Sequence, residues 1–273
     1  MNTRLNYIVI LLIILLTACV PQQTRNKKHS VVSKNGQVEL VFTPMVDTAI
    51  FSFDRTYISP SGESFKIHKI KFFISDIACS SSNMPEARAI SNASNGVYLV
   101  DFSEATIDTN SNKLMSSVRF DVAEGCYSDI RFNLGLPRAL NHADPTMAPA
   151  PLDLAKADMF WEWNSGYIFL LIEGGSSIAE DSLLHFAIGG DARIMPFSFG
   201  DIFDAVPLVQ VKENGLTRVH FSFDLNKLFI NGDGSAYSFK SPNASDVHGG
   251  YSADLLRMNA LKALEFVSVE CIK

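Results

Sequence analysis

The sequence has 273 residues, of which 29 are acidic and 23 are basic, and only 19% are charged. This acidic balance argues against a nucleic-acid-binding protein, which normally carries a basic face. The hydrophobic content of 47% excludes a disordered chain, and the length suits one or two domains. We therefore expect a folded body with a sizeable core, to which 20 phenylalanines contribute.

The N-terminal residues are typical of a lipoprotein signal. Arg4 supplies positive charge, and residues 7–16 form an apolar run of signal-peptide length. The run ends in Leu-Thr-Ala-Cys, which resembles the lipobox that a lipoprotein peptidase cleaves before a lipidated cysteine, here Cys19. We predict a signal peptide over residues 1–18 and a lipid anchor in the cell envelope, at the outer membrane because Val20 rather than aspartate follows the cysteine.

Residues 19–36 are polar and lack periodicity, so they are predicted to be a flexible tether. The folded domain is predicted to occupy residues 37–273. Short runs with the alternation of strands follow one another, separated by turn signals such as Asn-Gly and Gly-Gly: 37–43, 49–53, 65–74, 97–102, 117–122, 129–134, 167–173, 183–188, 208–211 and 217–224.

Strands at this spacing, without alternating helices, predict an all-β fold, an antiparallel β-sandwich with long loops. Two segments have helical periodicity, residues 225–230 and a short C-terminal helix at 252–267. Residues 137–158 contain four prolines and form a long irregular loop, which in a compact domain is usually functional or mobile.

Three cysteines remain besides the predicted lipid anchor. In an oxidising compartment, Cys79, Cys126 and Cys271 predict either one disulfide and one unpaired thiol or an intermolecular bridge. A Cys126–Cys271 bridge would tie down the C-terminus, and a Cys79–Cys126 bridge remains open. Their spacing fits no zinc or redox motif.

No catalytic motif is present: the sequence contains no GxSxG, GxxxxGK[ST] or HExxH. We therefore predict that the protein is not an enzyme. Asp224, Asn226, Asp233 and Gly234 loosely resemble a calcium loop, but their spacing does not fit the EF-hand pattern.

The segment 132–175 contains both tryptophans, Trp161 and Trp163. Its residues Leu-Gly-Leu-Pro (134–137), Leu-Asn-His-Ala-Asp-Pro (140–145) and Met-Phe-Trp-x-Trp-x-x-Gly-Tyr (159–167) resemble the MbnP-like family of periplasmic or surface copper-binding proteins. These are related to the kynurenine-containing copper proteins of methanotrophs. The segments 70–77 and 96–102 also resemble family strands, so the resemblance covers most of residues 37–270.

The resemblance implies a β-sandwich that binds copper through histidine, in some members with a kynurenine made from tryptophan by a MauG-like dihaem peroxidase. It assigns His142 to the family's Leu-Asn-His and makes Trp161 and Trp163 the modifiable aromatics. Some relatives have Phe-His-Leu-Gly where this chain has alanine at position 187, and His185, two residues earlier on the same strand face, could replace that histidine.

His248 precedes two glycines in a polar loop, which makes it an accessible third ligand beside His142 and His185. The sequence thus predicts a lipid-anchored copper-binding protein of the periplasm or cell surface, acting in metal acquisition or storage. The alternative is an envelope module without metal that presents the loop at 137–165 to a partner protein. The membrane is contacted through the lipid, and no nucleic acid is expected.

Overall fold

The computed structural model shows a two-sheet sandwich, and it describes residues 34–81, 84–88, 95–108, 113–153, 158–161, 166–199 and 209–272. The predicted signal peptide, Cys19 and nearly all of the predicted tether lie outside these residues, and so does Trp163. Among the helices described, none has the length and hydropathy needed to span a membrane.

The strands, in chain order, are β1 (Asn35–Val46), β2 (Ala49–Ile50), β3 (Tyr57–Ile58), β4 (Ser64–Ser81), β5 (Met84–Arg88), β6 (Tyr98–Asp101), β7 (Thr106–Asp108), β8 (Lys113–Ala123), β9 (Gly125–Tyr127), β10 (Asp129–Leu134), β11 (Ile168–Gly175), β12 (Leu183–Gly189), β13 (Met195–Ser198), β14 (Val209–Val211), β15 (Leu216–Asp224), β16 (Asp246–Val247) and β17 (Leu264–Ile272). The α-helices are α1 (Arg138–Asn141), α2 (Leu225–Leu228) and α3 (Gly250–Ala263), and short 3₁₀ turns cover Glu180–Ser182 and Asp191–Arg193.

One sheet has the order β17-β15-β1-β8-β7, with β2 paired to β1, and the other has the order β13-β10-β4-β11-β12-β16. In the second sheet, β3, β5 and β6 also pair with β4, which is the longest strand. A separate two-stranded ribbon joins β14 and β9. Most pairs are antiparallel, but β1 pairs with β15 and β12 pairs with β16 in parallel.

Phenylalanine contributes many of the large buried side chains in the core between the sheets. Phe42 of β1 lies 5.5 Å from Phe72 of β4, ring centroid to ring centroid, and Phe132 of β10 lies 6.1 Å from Phe221 of β15. These rings meet edge to face, an arrangement that adds to the hydrophobic gain from burial. The abundance of phenylalanine in the sequence is therefore explained by the packing of one sheet on the other.

The predicted all-β sandwich with a short C-terminal helix is confirmed. The prediction was wrong at the end of that helix, because α3 stops at Ala263 and residues 264–272 form strand β17. Phe221 of β15 pairs with Phe266 in the register of the two strands, so pairing at the sheet edge prevails over a pattern that also suits a helix. The parallel pairs join segments far apart in sequence, where no hairpin turn imposes antiparallel pairing.

Candidate metal centre

A row of polar residues crosses the outer face of the larger sheet. Lys69 on β4 is opposite Glu173 on β11, which is opposite His185 on β12, which is opposite Asp246 on β16. Opposite residues on neighbouring strands project from the same face, so these four side chains stand side by side. Lys69 Nζ lies 2.9 Å from Glu173 Oε2, and His185 Nδ1 lies 3.1 Å from Asp246 Oδ1.

His248 joins this row because residues 246–248 alternate in direction. Val247 is 1% exposed and packs inward, so the side chains of Asp246 and His248 lie on the outer side. His248 Nε2 lies 2.9 Å from Asp246 Oδ1, and the imidazole rings of His185 and His248 are 4.8 Å apart. Two imidazoles therefore converge on one carboxylate.

Among the described residues, His185, Asp246 and His248 form the one group of three or more His, Cys, Asp or Glu side chains that could hold a metal ion. One ligand atom from each lies within 4.8 Å of the others. Ligand bonds to imidazole nitrogen are about 2 Å long, so two ligands of one ion lie up to about 4 Å apart and a small side-chain adjustment would suffice. Imidazole suits copper, nickel and zinc, and the donor set therefore fits a copper ion. We call these three residues the His185–His248 cluster.

Glu173 lies on the opposite side of His185 from Asp246. Its Oε1 lies 3.9 Å from His185 Nε2, while Nδ1 of the same ring faces Asp246. A register shift in the β4–β11 pair leaves His68 unpaired with β11, and His68 Nε2 also lies 3.9 Å from Glu173. The nearest cation to Glu173 is Lys69, which contacts Asp158 as well.

Lys69 and Lys71 bind the segment that leads to Trp161. Asp158 Oδ2 lies 3.0 Å from Lys69 Nζ, and Asp158 Oδ1 lies 2.7 Å from Lys71 Nζ. Burial raises the pKa of Asp158, but the hydrogen bonds from the two lysines outweigh it and hold that pKa below its ordinary value. Lys71 is 7% exposed and also forms an ion pair with Asp101. The carboxylates of Asp101 and Asp158 together therefore neutralise its buried ammonium group.

His142 lies in a different region, which we call the Asp191 corner (Arg138, Asn141, His142 and Asp191). His142 Nε2 lies 3.0 Å from Asp191 Oδ2, and the same carboxylate is contacted by Arg138 at 3.0 Å and by the Asn141 amide at 2.8 Å. These hydrogen bonds, that of Asn141 first, lower the pKa of Asp191. Asn141 is 2% exposed, and its Oδ1 accepts the backbone N–H of Tyr167 at 2.8 Å. The Leu-Asn-His segment therefore fastens α1 to the start of β11.

Trp161 packs next to the Asp191 corner. Its indole lies so close to Gly189 that a Cβ on that glycine would meet the ring at 2.8 Å. The backbone N–H of Trp161 donates to the carbonyl of Gly166 at 3.1 Å, and the residue is 5% exposed. Trp163 lies outside the described residues, so its role as a modifiable aromatic stays a prediction.

The structure thus brings together two of the three predicted histidine ligands. His185 and Gly189 are both on β12, four residues apart, which is about 13 Å along an extended strand. The His185–His248 cluster lies near the start of this strand, and Trp161 and the Asp191 corner lie at its end. The group of three does not include His142, whose ring is bound to Asp191.

Sequence reasoning missed Asp246, the third member of the cluster, and Glu173 beside it. The one signal for Asp246 was the spacing Asp-Val-His at 246–248, in which polar, apolar and polar residues alternate. Nothing in the sequence indicates that this segment pairs with β12 in parallel.

The three cysteines lie in different surroundings. Cys79 is fully buried, which raises the pKa of its thiol to about 12. The thiol of Cys271 donates to the carbonyl of Gln210 at 3.8 Å, and Cys126 is the register partner of the same Gln210. Both Cys126 and Cys271 therefore lie around one residue of β14, and their disulfide stays a prediction.

The comparisons with known proteins agree with this fold. The model of the MbnP family matches residues 35–247, most of the chain. The chain belongs to the MbnP family. Among solved structures, it is similar to MbnP from Methylosinus trichosporium, with 17% sequence identity, a TM-score of 0.53, and coverage of 80% of this chain and 82% of that one. No match was found among curated proteins.

Proposed function

We propose that this member of the MbnP family binds copper through His185, His248 and Asp246. The observation that carries the proposal is the convergence of these three ligand atoms within 4.8 Å. The MbnP family is associated with copper-related function, which agrees with a donor set rich in imidazole.

The charges around the cluster favour a cation. Asp246 and Glu173 both face His185, and the cation that contacts Glu173 most closely, Lys69, is shared with Asp158. The cluster is also accessible: Asp246, His248 and His185 have side-chain exposures of 55%, 34% and 25%. An open site with a carboxylate suits metal uptake and release better than permanent retention, so acquisition or storage is the proposed role rather than turnover.

The protein would be held in the envelope by a lipid on Cys19, at the outer membrane, on the periplasmic face or the cell surface. A dihaem peroxidase partner would oxidise Trp161 or Trp163.

The test is a copper titration of the full chain purified in detergent. Wild-type protein is expected to bind one copper ion with a dissociation constant below about 10⁻⁶ M, and the double variant His185→Ala/His248→Ala is expected to lose at least 100-fold in affinity. His68→Ala is the matched control, since His68 lies on the same sheet face outside the cluster. Equal affinity of the double variant and the control would reject the site.

Intact-mass spectrometry of the protein from native membranes tests the processing. A mass corresponding to lipidated Cys19 and to kynurenine in place of one tryptophan is expected. An unmodified, metal-free protein from the same membranes would instead favour the module that uses its 137–165 loop to bind a partner.

A further inference from the structure

A cluster of side-chain oxygens lies at the sheet that contains β1 and β15, where the turn after β1 meets the junction of β15 and α2. Asp47 lies in that turn, Asp224 caps the N-terminus of α2, and Asn226 lies on α2. Asp224 Oδ1 accepts the backbone N–H groups of Asp47 and Asn226, both at 3.0 Å. The chain therefore brings two carboxylates and an amide together from segments about 180 residues apart.

Asn226 has a buried side-chain oxygen that the hydrogen bonds within the cluster do not satisfy. This side chain is 5% exposed, and its Nδ2 donates to Asp47 Oδ2 at 2.9 Å and to the carbonyl of Ile58 at 3.2 Å. In the part of the chain that the structure describes, no donor reaches its buried Oδ1. Leaving a buried acceptor without a partner destabilises a fold, so this oxygen is expected to have a ligand.

The orientation of this amide is fixed by its neighbours. If the amide were flipped, its oxygen would face a carboxylate and a carbonyl, both of which only accept hydrogen bonds. Since Oδ1 and Nδ2 are bonded to the same carbon, Oδ1 lies within about 5 Å of the Asp47 carboxylate. A cation that binds Oδ1 would therefore lie near the negative charge of Asp47.

Among the described residues, neither aspartate forms an ion pair with a cationic side chain. The nearby Lys227 is paired with Glu265. Burial raises the pKa of Asp224, and the negative charge of Asp47 raises it further. A bound cation would satisfy the amide oxygen and both carboxylates at once.

We propose that Asp47, Asp224 and Asn226 provide the protein ligands of a calcium site. Carboxylate and amide oxygens are the ligands that Ca²⁺ prefers, and waters at the exposed side of Asp47 would complete its six to eight ligands. Copper is not expected here, because the cluster offers neither imidazole nor sulfur. The ion would join the β1–β2 turn to the start of α2.

The test uses the full chain in detergent, first treated with a chelator and then titrated with CaCl₂ by calorimetry and thermal denaturation. With three protein ligands, a dissociation constant of about 10⁻⁴–10⁻³ M is expected, as in extracellular calcium modules. At calcium concentrations near 100 times that constant, the Tm is expected to rise by about 5 °C.

Asp47→Asn and Asp224→Asn each remove one charge and keep an oxygen that can accept the existing hydrogen bonds. Both are expected to abolish the calcium-dependent rise in Tm. Asp233→Asn is the matched control, because Asp233 is an exposed turn aspartate that accepts bonds from Ser235. The control is expected to respond like wild type.

Two results would overturn the site: a wild-type Tm that calcium does not change, in which case an ordered water satisfies Asn226, or a full calcium response in the Asp47→Asn variant. Asp47 is exposed, so that variant remains informative even if Asp224→Asn does not fold. Repeating the titration on the His185→Ala/His248→Ala variant separates this site from the copper proposal, since calcium binding should be unchanged there.

Discussion

The His185–His248 cluster and the Asp191 corner both place histidine beside aspartate near β12, yet the two regions differ in what surrounds the carboxylate. Asp191 receives a guanidinium, an amide and an imidazole, so its charge is already compensated. Asp246 receives two imidazoles, and a second carboxylate, Glu173, lies beyond one of them. An additional cation would be repelled by Arg138 in the first region and attracted in the second.

On the proposed function, the histidine of the family motif, His142, would not be a copper ligand. His142 lies in the most recognisable segment of the sequence, and the structure gives that segment an architectural role through Asn141, Asp191 and Tyr167. His248 lies in an unremarkable loop and reaches the cluster through strand pairing.

The largest expected effect is on copper affinity. His248→Ala removes one of two imidazoles and is expected to lower the affinity at least about 100-fold, more than the loss of a supporting residue costs. His142→Ala, measured by the same competition titration, is expected to change the affinity by less than about 3-fold, because its ring is bound to Asp191. The reverse order of effects would assign the site to the Asp191 corner.

The next effect is on stability and concerns the Asp191 corner. Asn141→Ala removes the bonds to Asp191 and to the Tyr167 N–H and leaves a buried donor unpaired, which is expected to cost about 1–3 kcal/mol in the free energy of unfolding. Urea denaturation measures this cost, and copper affinity should not change. Asn133→Ala is the control, since its side chain bonds to Asp76 at the surface and should cost less than about 0.5 kcal/mol.

A smaller effect is expected at Glu173, whose carboxylate faces His185 without belonging to the group of three. Glu173→Gln should weaken copper binding about 10-fold, at the low end of the range for supporting residues, because the separation is 3.9 Å. Glu213→Gln, which alters an exposed pair with Lys34, should leave the affinity unchanged. An unchanged affinity in Glu173→Gln would restrict the site to its three members.

The smallest effect is on acid stability. The pKa of Asp191 is lowered in the folded protein, so its contribution to stability is present above the ordinary aspartate value of 3.8 and is lost as the pH falls through the lowered pKa. Asp191→Asn is therefore expected to reduce stability at pH 6 by less than about 1 kcal/mol, the size of partly exposed pairs, and to flatten the loss of stability below pH 4. Chemical denaturation at several pH values measures both. An acid profile identical to that of wild type would show that this carboxylate is not stabilised by its neighbours.

Much of the fold was predictable because the strands alternate clearly and the turns contain glycine. Residues 217–224 and 129–134 were predicted as strands, and they are β15 and β10 almost to the residue. Residues 264–267 were predicted as helix because their apolar spacing continues that of α3, and only the pairing of β17 with β15 determines that they form a strand. Local pattern alone does not contain that long-range contact.

Only part of the candidate metal centre could be predicted from the sequence. His185 was named because it could replace the family histidine that is alanine at position 187, and His248 was named because it lies in an accessible polar loop. Their contact depends on the parallel pairing of two residues of β16 with β12, which no periodicity reveals in so short a strand. Asp246 and Glu173 were missed because single carboxylates on a polar face have no signal until the strand register places them beside an imidazole.

The central claim is that copper binds between His185 and His248, and crystals soaked with copper test it most directly. An anomalous difference map recorded at the copper absorption edge is predicted to show its strongest peak within about 2–2.5 Å of nitrogens of both imidazoles, with Asp246 as a further ligand. A strongest peak at His142, beside Asp191 and Trp161, would contradict the account.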